Sequence, residues 1–389
     1  MWRNIVSNFL TLMIVILVAL AGVIAWAKRQ YDGPGPLSQA VCVQVPRGGS
    51  FYGVSEQLVR LGAISSGYIF RIGADYSEKS GQLKFGSYLV EPNATMEQIV
   101  DQVTEGGPST CGSELVYRIG VNAQRLELRE LDPATSQFVD LSEYDPVSED
   151  KPDDFEALVD DANVTRTRVV LAEGATSWHV TQALNALPYL SGELKDVPAE
   201  GSLAPNSYDI TNGEARSEVV SQMQDAQAAI LAEAWANRAD GLPYDSPEEA
   251  LIMASIVEKE TGIAAERRQV ASVFVNRIEQ GMRLQTDPTV IYGVTDGRGN
   301  LGRGIRASEL RRATPYNTYV IDGLPPTPIA NPGRAAIEAA LNPDSTNYVF
   351  FVADGTGGHA FATTLDEHNR NVARWREIEA ERANAASGN

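Results

Sequence analysis

Residues Phe9 to Ala27 form an apolar run interrupted only by Thr11 and Gly22. Such a run is close to the ~20 residues that carry an α-helix across a bilayer. No other feature restricts the fold as strongly, because the backbone polar groups of a segment in hydrocarbon must be satisfied within a helix. The competing reading is a cleaved signal peptide. The run exceeds the ~7–15 residues of a signal h-region, and no small-x-small site is followed by a clean polar start, so an uncleaved single-pass anchor is expected. Charge leaves its orientation open. Arg3 is the only charged side chain before the run and Lys28 and Arg29 follow it, which mildly opposes the positive-inside tendency.

The 389 residues are 43% hydrophobic and 21% charged, a composition that supports two or three folded domains with ample core. The net charge is −19; Arg3, Lys28 and Arg29 give residues 1–30 a charge of +3, so the remainder carries −22. That balance argues against nucleic acid, and against anionic lipid headgroups, as partners held by bulk electrostatics. Cys42 and Cys111 flank one compact segment. A disulfide between them would make sense only outside the cytoplasm; two unpaired buried thiols are the alternative, and the sequence does not choose.

After a Gly/Pro linker, Gly33–Pro36, the spacing predicts a strand at Val41–Val45, a helix from Ser50 to Leu61, a second helix starting near Ser66, a strand at Phe85–Val90 and a helix over Thr95–Val103. Gly106–Pro108 closes this small α+β module. Its Val45-Pro-Arg-Gly-Gly-Ser-Phe51 pattern with a helix behind it is loosely similar to the LysM-like modules that hold glycan chains. Residues 131–161 hold eleven acidic residues, a single Lys and little periodicity, and read as a solvated loop or insertion. Regular patterning returns with a strand at Val169–Leu171, a helix over Thr176–Leu187 and a long helix over Ser217–Trp235.

Chemistry concentrates beyond Tyr244. Ser246 with Glu249 reads as a capping box and Pro247 suits the first helical turn. In the helix that follows, Met253, Ile256, Val257 and Glu260 share one face at roughly 100° per residue, with Glu258 and Lys259 on the flanks. A glutamate in an apolar stripe resists ionisation, and its pKa should rise from about 4.3 toward roughly 6, as a general acid needs. The structural alternative pairs Glu260 with Arg267 or Arg268. Val270–Gln280 reads as a continuation of the helical run, ended by Gly281. Gln285–Tyr292 reads as a loop rich in carbonyl-type acceptors, hydroxyl and ring, the mix that sugars require; Thr314–Tyr319 repeats that mix, and Gly323–Pro332 is stiffened by four prolines. Asp287 could instead pair with Arg283 or cap a turn. His359 could orient a substrate or an acid, while His368 packs in or caps a final helix beginning near Leu365. There is no HExxH, CxxC, Walker loop or GxSxG elbow, so neither a metal nor a cofactor is expected.

Together, Met253-Ala-Ser-Ile-Val-Glu-Lys-Glu-Thr261, Ala271-Ser-Val-Phe274, Gly281-Met-Arg-Leu-Gln-Thr-Asp-Pro-Thr-Val-Ile-Tyr-Gly293, Pro315-Tyr-Asn-Thr-Tyr319, Gly323-Leu-Pro-Pro326 and Phe351-Val-Ala-Asp-Gly-Thr-Gly-Gly-His-Ala-Phe361 closely resemble the YceG-like endolytic murein transglycosylases. The resemblance implies an α+β protein with a cytoplasmic N-terminus (1–8), one transmembrane helix (9–27), a LysM-like module (40–112), an acidic insertion or linker (113–165), a connecting α+β region (166–242) and a catalytic domain (243–385). It further implies a single-pass inner-membrane protein with a periplasmic catalytic part, acting on nascent peptidoglycan glycan strands and linked to peptidoglycan synthases. Glu260 falls on the family's catalytic acid, in agreement with the helical-face reading. Gln285, Asp287, Tyr316, Asn317 and His359 fall on motif positions expected to bind substrate or support Glu260. Such an enzyme is a lyase that cuts the MurNAc–GlcNAc bond and leaves 1,6-anhydroMurNAc ends. Its rivals are a hydrolase in which Asp287 or Glu258 activates water, and a glycan-binding scaffold without activity. The long acidic stretch departs from the family pattern.

Overall fold

A computed structural model describes residues 2–46, 48–106, 111–162, 164 and 166–387. Contacts divide the chain into two compact units, one of residues 1–115, 127–143 and 152–167, the other of residues 116–126, 144–151 and 168–389.

The first unit begins with α1 (Trp2–Asp32), an unbroken helix long and apolar enough to cross a membrane. Then come β1 (Val41–Val45), α2 (Phe51–Arg60), α3 (Gly67–Tyr76), β2 (Gly86–Val90) and α4 (Met96–Glu105), close to the expected positions. α2, α3 and α4 each start at a side-chain cap. Ser50 accepts from Gly53 N at 3.2 Å and Ser66 from Ile69 N at 3.4 Å, and Thr95 and Gln98 form a reciprocal capping box. β1 and β2 pair antiparallel with Val43 opposite Tyr88, and they cover a core that includes Leu58, Phe70, Ile99 and Val103. The Gly33–Pro36 segment is not a free tether: Gly35 N donates to Asn93 O at 3.2 Å, and a Cβ there would strike the Ala94 carbonyl. Of the expected closing turn, Gly106 has φ +76° after α4, while residues 107 and 108 lie outside the described residues.

Cys42 and Cys111 are joined by a disulfide, with Cα atoms 5.9 Å apart. Of the two alternatives that the sequence left open, the structure has the paired one.

β3 (Ser113–Ile119), β4 (Gln124–Asp132), β5 (Gln137–Tyr144), β6 (Arg166–Leu171) and β7 (Ser207–Asp209) form a sheet in the order β5-β4-β3-β6-β7. The acidic stretch 131–161 is thus not simply a loop, since it contains the end of β4, all of β5 and α5 (Phe155–Ala162). β5 is an edge strand with both faces largely exposed, so its pairing is carried by backbone hydrogen bonds and leaves little hydrophobic alternation to read. The turn before it is ordered by Asp132, which accepts from Ala134 N at 2.9 Å and Thr135 Oγ1 at 2.8 Å. Arg129 Nε, 3.3 Å from Asp140, offsets part of the local negative charge.

The second unit continues with α6 (Ser177–Ala186), α7 (Arg216–Ala236), α8 (Pro247–Glu260), α9 (Arg267–Glu279), α10 (Asp287–Thr295), α11 (Ala307–Leu310), α12 (Arg334–Leu341), the hairpin β8 (Phe350–Ala353) and β9 (His359–Ala362), and α13 (Leu365–Ser387). α8, α9 and α12 pack around Met253, Ile256, Val257, Phe274, Ile337 and Leu341. Two expectations change here. α9 does not continue α8, because Thr261 turns extended (φ −140°, ψ 129°), its hydroxyl accepts from Ile263 N at 3.0 Å, and a 3₁₀ turn at Ala264–Glu266 intervenes. The segment read as a loop at Gln285–Tyr292 is helical from Asp287, with Pro288 in the first turn where its missing N–H has no cost.

The disulfide closes a separation of 69 residues. Replacing both cysteines with serine should lower the urea-unfolding free energy of the first unit by about 2–4 kcal/mol. An unchanged midpoint in oxidised protein would show that the bridge does not form.

Candidate active site

Glu260 is the last residue of α8 and is partly buried. The break at Thr261 leaves its carboxyl at the C-terminal end of the helix, where the unpaired carbonyls disfavour a second negative charge. Burial is the main influence on the carboxyl and raises its pKa to about 7; the Thr286 hydroxyl, His359 and Arg277 pull it down, while the charge of Asp287 pushes it up. Neither arginine expected as a structural partner takes Glu260. Arg267 lies 3.8 Å from Glu173 and Arg268 lies 3.1 Å from Asp344.

The segment that brings Thr286 and Asp287 toward Glu260 is held from several sides. Arg277 donates to Leu284 O at 2.5 Å and to Val349 O at 2.6 Å, which ties the end of α9 to the strand side. Gln285 is in the left-handed region (φ +51°), and its N–H bonds to Thr318 O at 3.1 Å. Thr318 is fully buried; its hydroxyl receives Thr286 N at 3.0 Å and lies 2.9 Å from Thr289 Oγ1. These bonds leave Thr286 Oγ1 buried, and as a hydrogen-bonding neighbour of the Glu260 carboxyl it lowers that group's pKa. A non-glycine residue at positive φ within a tightly bonded loop is the kind of strain found at functional sites.

The five expected binding positions divide by what they touch. Asp287 is exposed and accepts from Tyr319 OH at 2.7 Å, so it pairs with neither Arg283, which takes Asp322, nor a turn amide. The side chain of Gln285 is exposed to solvent. His359 Nδ1 is 2.8 Å from Glu266 Oε2, and its backbone N–H donates to the other oxygen at 3.0 Å. Glu266 thereby fixes both the ring and its strand. Tyr316 packs its ring 5.0 Å from that of Tyr292 and its hydroxyl 2.8 Å from Thr327 Oγ1. Asn317 is bonded within its own loop. It is buried, and its amide donates to the carbonyls of Glu309, Leu310 and Arg312 while its oxygen accepts from Tyr319 N. With its amide bonded to backbone, it shapes the loop that carries Thr318 and Tyr319. His368 packs as expected, stacked 5.1 Å from Phe350.

Glu266, Arg277, Thr286 and Tyr319 were not singled out from the sequence. Tyr319 and Thr286 lie within the motifs quoted above, and their residue types carry no distinguishing signal. Glu266 and Arg277 meet the site only through tertiary contacts. Glu258, a candidate base, accepts from Gly333 N at 3.0 Å. Burial raises its pKa, and it belongs to a separate polar cluster with Glu173 and Arg267. Among the described residues no three metal-ligating side chains converge. A cleft of about 620 Å³ runs beside the site, lined by Lys259, Pro288, Tyr292 and the glycine-rich turn at 297–302.

In sequence, the chain is similar to an endolytic murein transglycosylase of Bacillus subtilis, 28% identical over 85% of this chain and 83% of that protein. It is also similar to one of Streptococcus pneumoniae, 27% identical over 86% of this chain but only 58% of the longer relative. In structure, it aligns with a YceG-like protein of Listeria monocytogenes at TM-score 0.45 and 24% identity, covering 85% of this chain and 98% of the other. Residues 43–374, which span nearly all of both units beyond the apolar helix, match the YceG-like family, and the chain belongs to it.

Proposed function

We propose that this protein is an endolytic peptidoglycan transglycosylase that cuts the MurNAc–GlcNAc bond within glycan strands, with Glu260 as its general acid and base. The observation that carries the reading is the Glu260 carboxyl, held near pKa 7 by burial at a helix C-terminus, so that both protonation states are accessible at neutral pH. The acid donates its proton to the oxygen linking MurNAc to GlcNAc. The carboxylate so formed then accepts the proton of the MurNAc C6 hydroxyl as that oxygen attacks C1 of the same sugar. The glycosidic bond breaks, a 1,6-anhydro ring forms, and Glu260 is protonated again without water entering. Because the nucleophile belongs to the substrate, its effective molarity can reach about 10⁵–10⁸ M, and no second carboxylate is required.

Around the acid, Gln285 and Asp287 offer hydrogen-bonding groups at the solvent side, and Tyr292, backed by Tyr316, offers a ring face along the adjacent cleft. His359, oriented by Glu266, stabilises the Glu260 carboxylate once the proton has left. The Cys42–Cys111 disulfide supports an oxidising compartment for the first unit, in keeping with α1 lying in the inner membrane, its N-terminus cytoplasmic and the rest periplasmic. We assign the β1–α4 module, with its LysM-like pattern, to glycan binding, and the domain boundaries expected from the sequence are kept as part of this proposal.

Incubating wild type and Glu260→Gln with uncrosslinked strands and identifying the new ends by mass spectrometry should give internal cuts with 1,6-anhydroMurNAc ends for wild type and a loss of at least 10³-fold in rate for the variant, the general-acid contribution being about 10²–10⁴-fold. Reducing ends would instead mark a hydrolase with Asp287 as base on water, and binding without cleavage would mark a scaffold.

The pH dependence has a fixed sign. The acid form is lost above the folded pKa, so kcat/KM should fall about tenfold per pH unit above about 7. Asp287→Asn removes a charge that raises this pKa, and should move the limb to lower pH.

Stability is linked to the same group. Below the unfolded pKa of about 4.3 both states hold the proton and Glu260 costs nothing; the cost develops as pH rises toward 7 and is complete above it. Glu260→Gln should therefore be more stable than wild type at pH 8 by about 1–3 kcal/mol, and the gain should vanish by pH 4 in urea titrations.

A further inference from the structure

The apolar run of α1 ends at Ala27, and Ala27 packs against the core of the first unit. One turn later Tyr31 does the same. Its ring lies over Gly73 of α3, so closely that a Cβ at Gly73 would fall within the ring, and Ser65 Oγ donates to Gln30 Oε1 at 3.0 Å. No linker separates the span from the globular module, since the Gly33–Pro36 segment comes after these contacts and is itself bonded to Asn93.

That geometry fixes a depth. Ala27 and Tyr31 are four residues, about 6 Å, apart along the helix, and the polar layer on each side of the hydrocarbon is about 5–8 Å thick. The part of α3 around Gly73, against which Tyr31 rests, therefore lies at headgroup level in a bilayer that α1 crosses along the normal. Trp26, 59% exposed, marks the same boundary.

On α3, Tyr68, Ile72 and Tyr76 recur every four residues and are 68%, 49% and 92% exposed. They form one face that the module's own core does not use, while Ile69, Phe70 and Ala74 are turned inward. Large exposed side chains at regular spacing are unusual on a helix facing bulk water, but a tyrosine has an apolar ring and a polar tip and suits the interface between acyl chains and headgroups. Lys28 and Arg29 are exposed at the same level of α1 and suit lipid phosphates. With −22 on the rest of the chain, the attraction has to come from this aromatic and apolar contact.

We propose that the Tyr68–Ile72–Tyr76 face of α3 is a membrane-contact surface, seated in the headgroup layer of the bilayer that α1 spans. It converts a single-pass anchor, free to swivel and tilt, into two points of attachment, and so holds the first unit against the lipid. The proposal rests on α1 being a membrane span, and the experiment separates the two.

The full chain carrying Ile72→Cys, whose two native cysteines are already paired, is labelled with a polarity-sensitive dye and reconstituted into nanodiscs of phosphatidylethanolamine and phosphatidylglycerol. Expected are co-elution with the discs, loss of most dye emission to a nitroxide on the lipid headgroup, and iodide quenching several-fold weaker than for the same dye on glutathione. Co-elution with full iodide access and no nitroxide quenching overturns the contact while leaving the anchor intact. Shielding from both quenchers also overturns it and assigns the face to a protein partner. Failure to enter discs removes the anchor and the contact together. A Tyr68→Ser, Tyr76→Ser variant with the same label reads whether the tyrosines hold the face down; it should recover iodide access with an unchanged melting transition, and a label that stays buried would overturn their role.

Discussion

The burial of one carboxyl at a helix end is the constraint around which its neighbours in the second unit are arranged. Glu260 ends a helix whose other inward residues, Met253, Ile256 and Val257, are fully buried, and the water removed to bury them is removed from the carboxyl as well. Desolvation raises its pKa, and the helix terminus acts in the same direction. Opposing groups keep the shift moderate. Thr286, His359 and Arg277 each favour the anion, so the group stays close to neutrality and is not locked in the acid form. The proposed acid–base role, in which a proton leaves and returns within one turnover, requires this balance.

The neighbouring structure holds that balance in place. Arg277 has little to do with substrate. Its guanidinium is spent on the carbonyls of Leu284 and Val349, and burial lowers its pKa, yet without it the Gln285–Asp287 segment would lose its main anchor to α9. Thr318 and Asn317 perform the same service from the other side, one through its hydroxyl and one through an amide bonded entirely to backbone. Glu266 sits at the end of the 3₁₀ turn created by the break after Glu260, and from there holds His359 on β9. The break that exposes the acid therefore also supplies the residue that orients its histidine.

The first unit follows a different logic, in which continuity matters more than charge. α1 enters it without a hinge, fixed by an aromatic ring over a glycine and by a side-chain hydrogen bond, and the disulfide ties β1 to the chain beyond α4.

The elements with a strong local signal were legible in the sequence. Ser50, Ser66, Thr95 and Ser246 cap helices as their residue types suggest, the apolar run is a helix, and the Met253–Glu260 stripe is buried as its 3.6-residue period requires. These succeed because capping and amphipathicity act within a few residues. The misreadings share the opposite cause. β5 is paired through backbone at a sheet edge and needs no alternation; the Thr286-Asp287-Pro288 helix start resembles a loop until Thr318 is seen holding it. The sequence by itself determined the helix that carries Glu260, the face that carboxyl occupies, and the family to which the chain is similar. Only the tertiary structure decided that the cysteines are joined, that Glu266 rather than substrate holds His359 at rest, and which polar side chains remain free, because each depends on partners brought together from distant parts of the chain, beyond the reach of local periodicity.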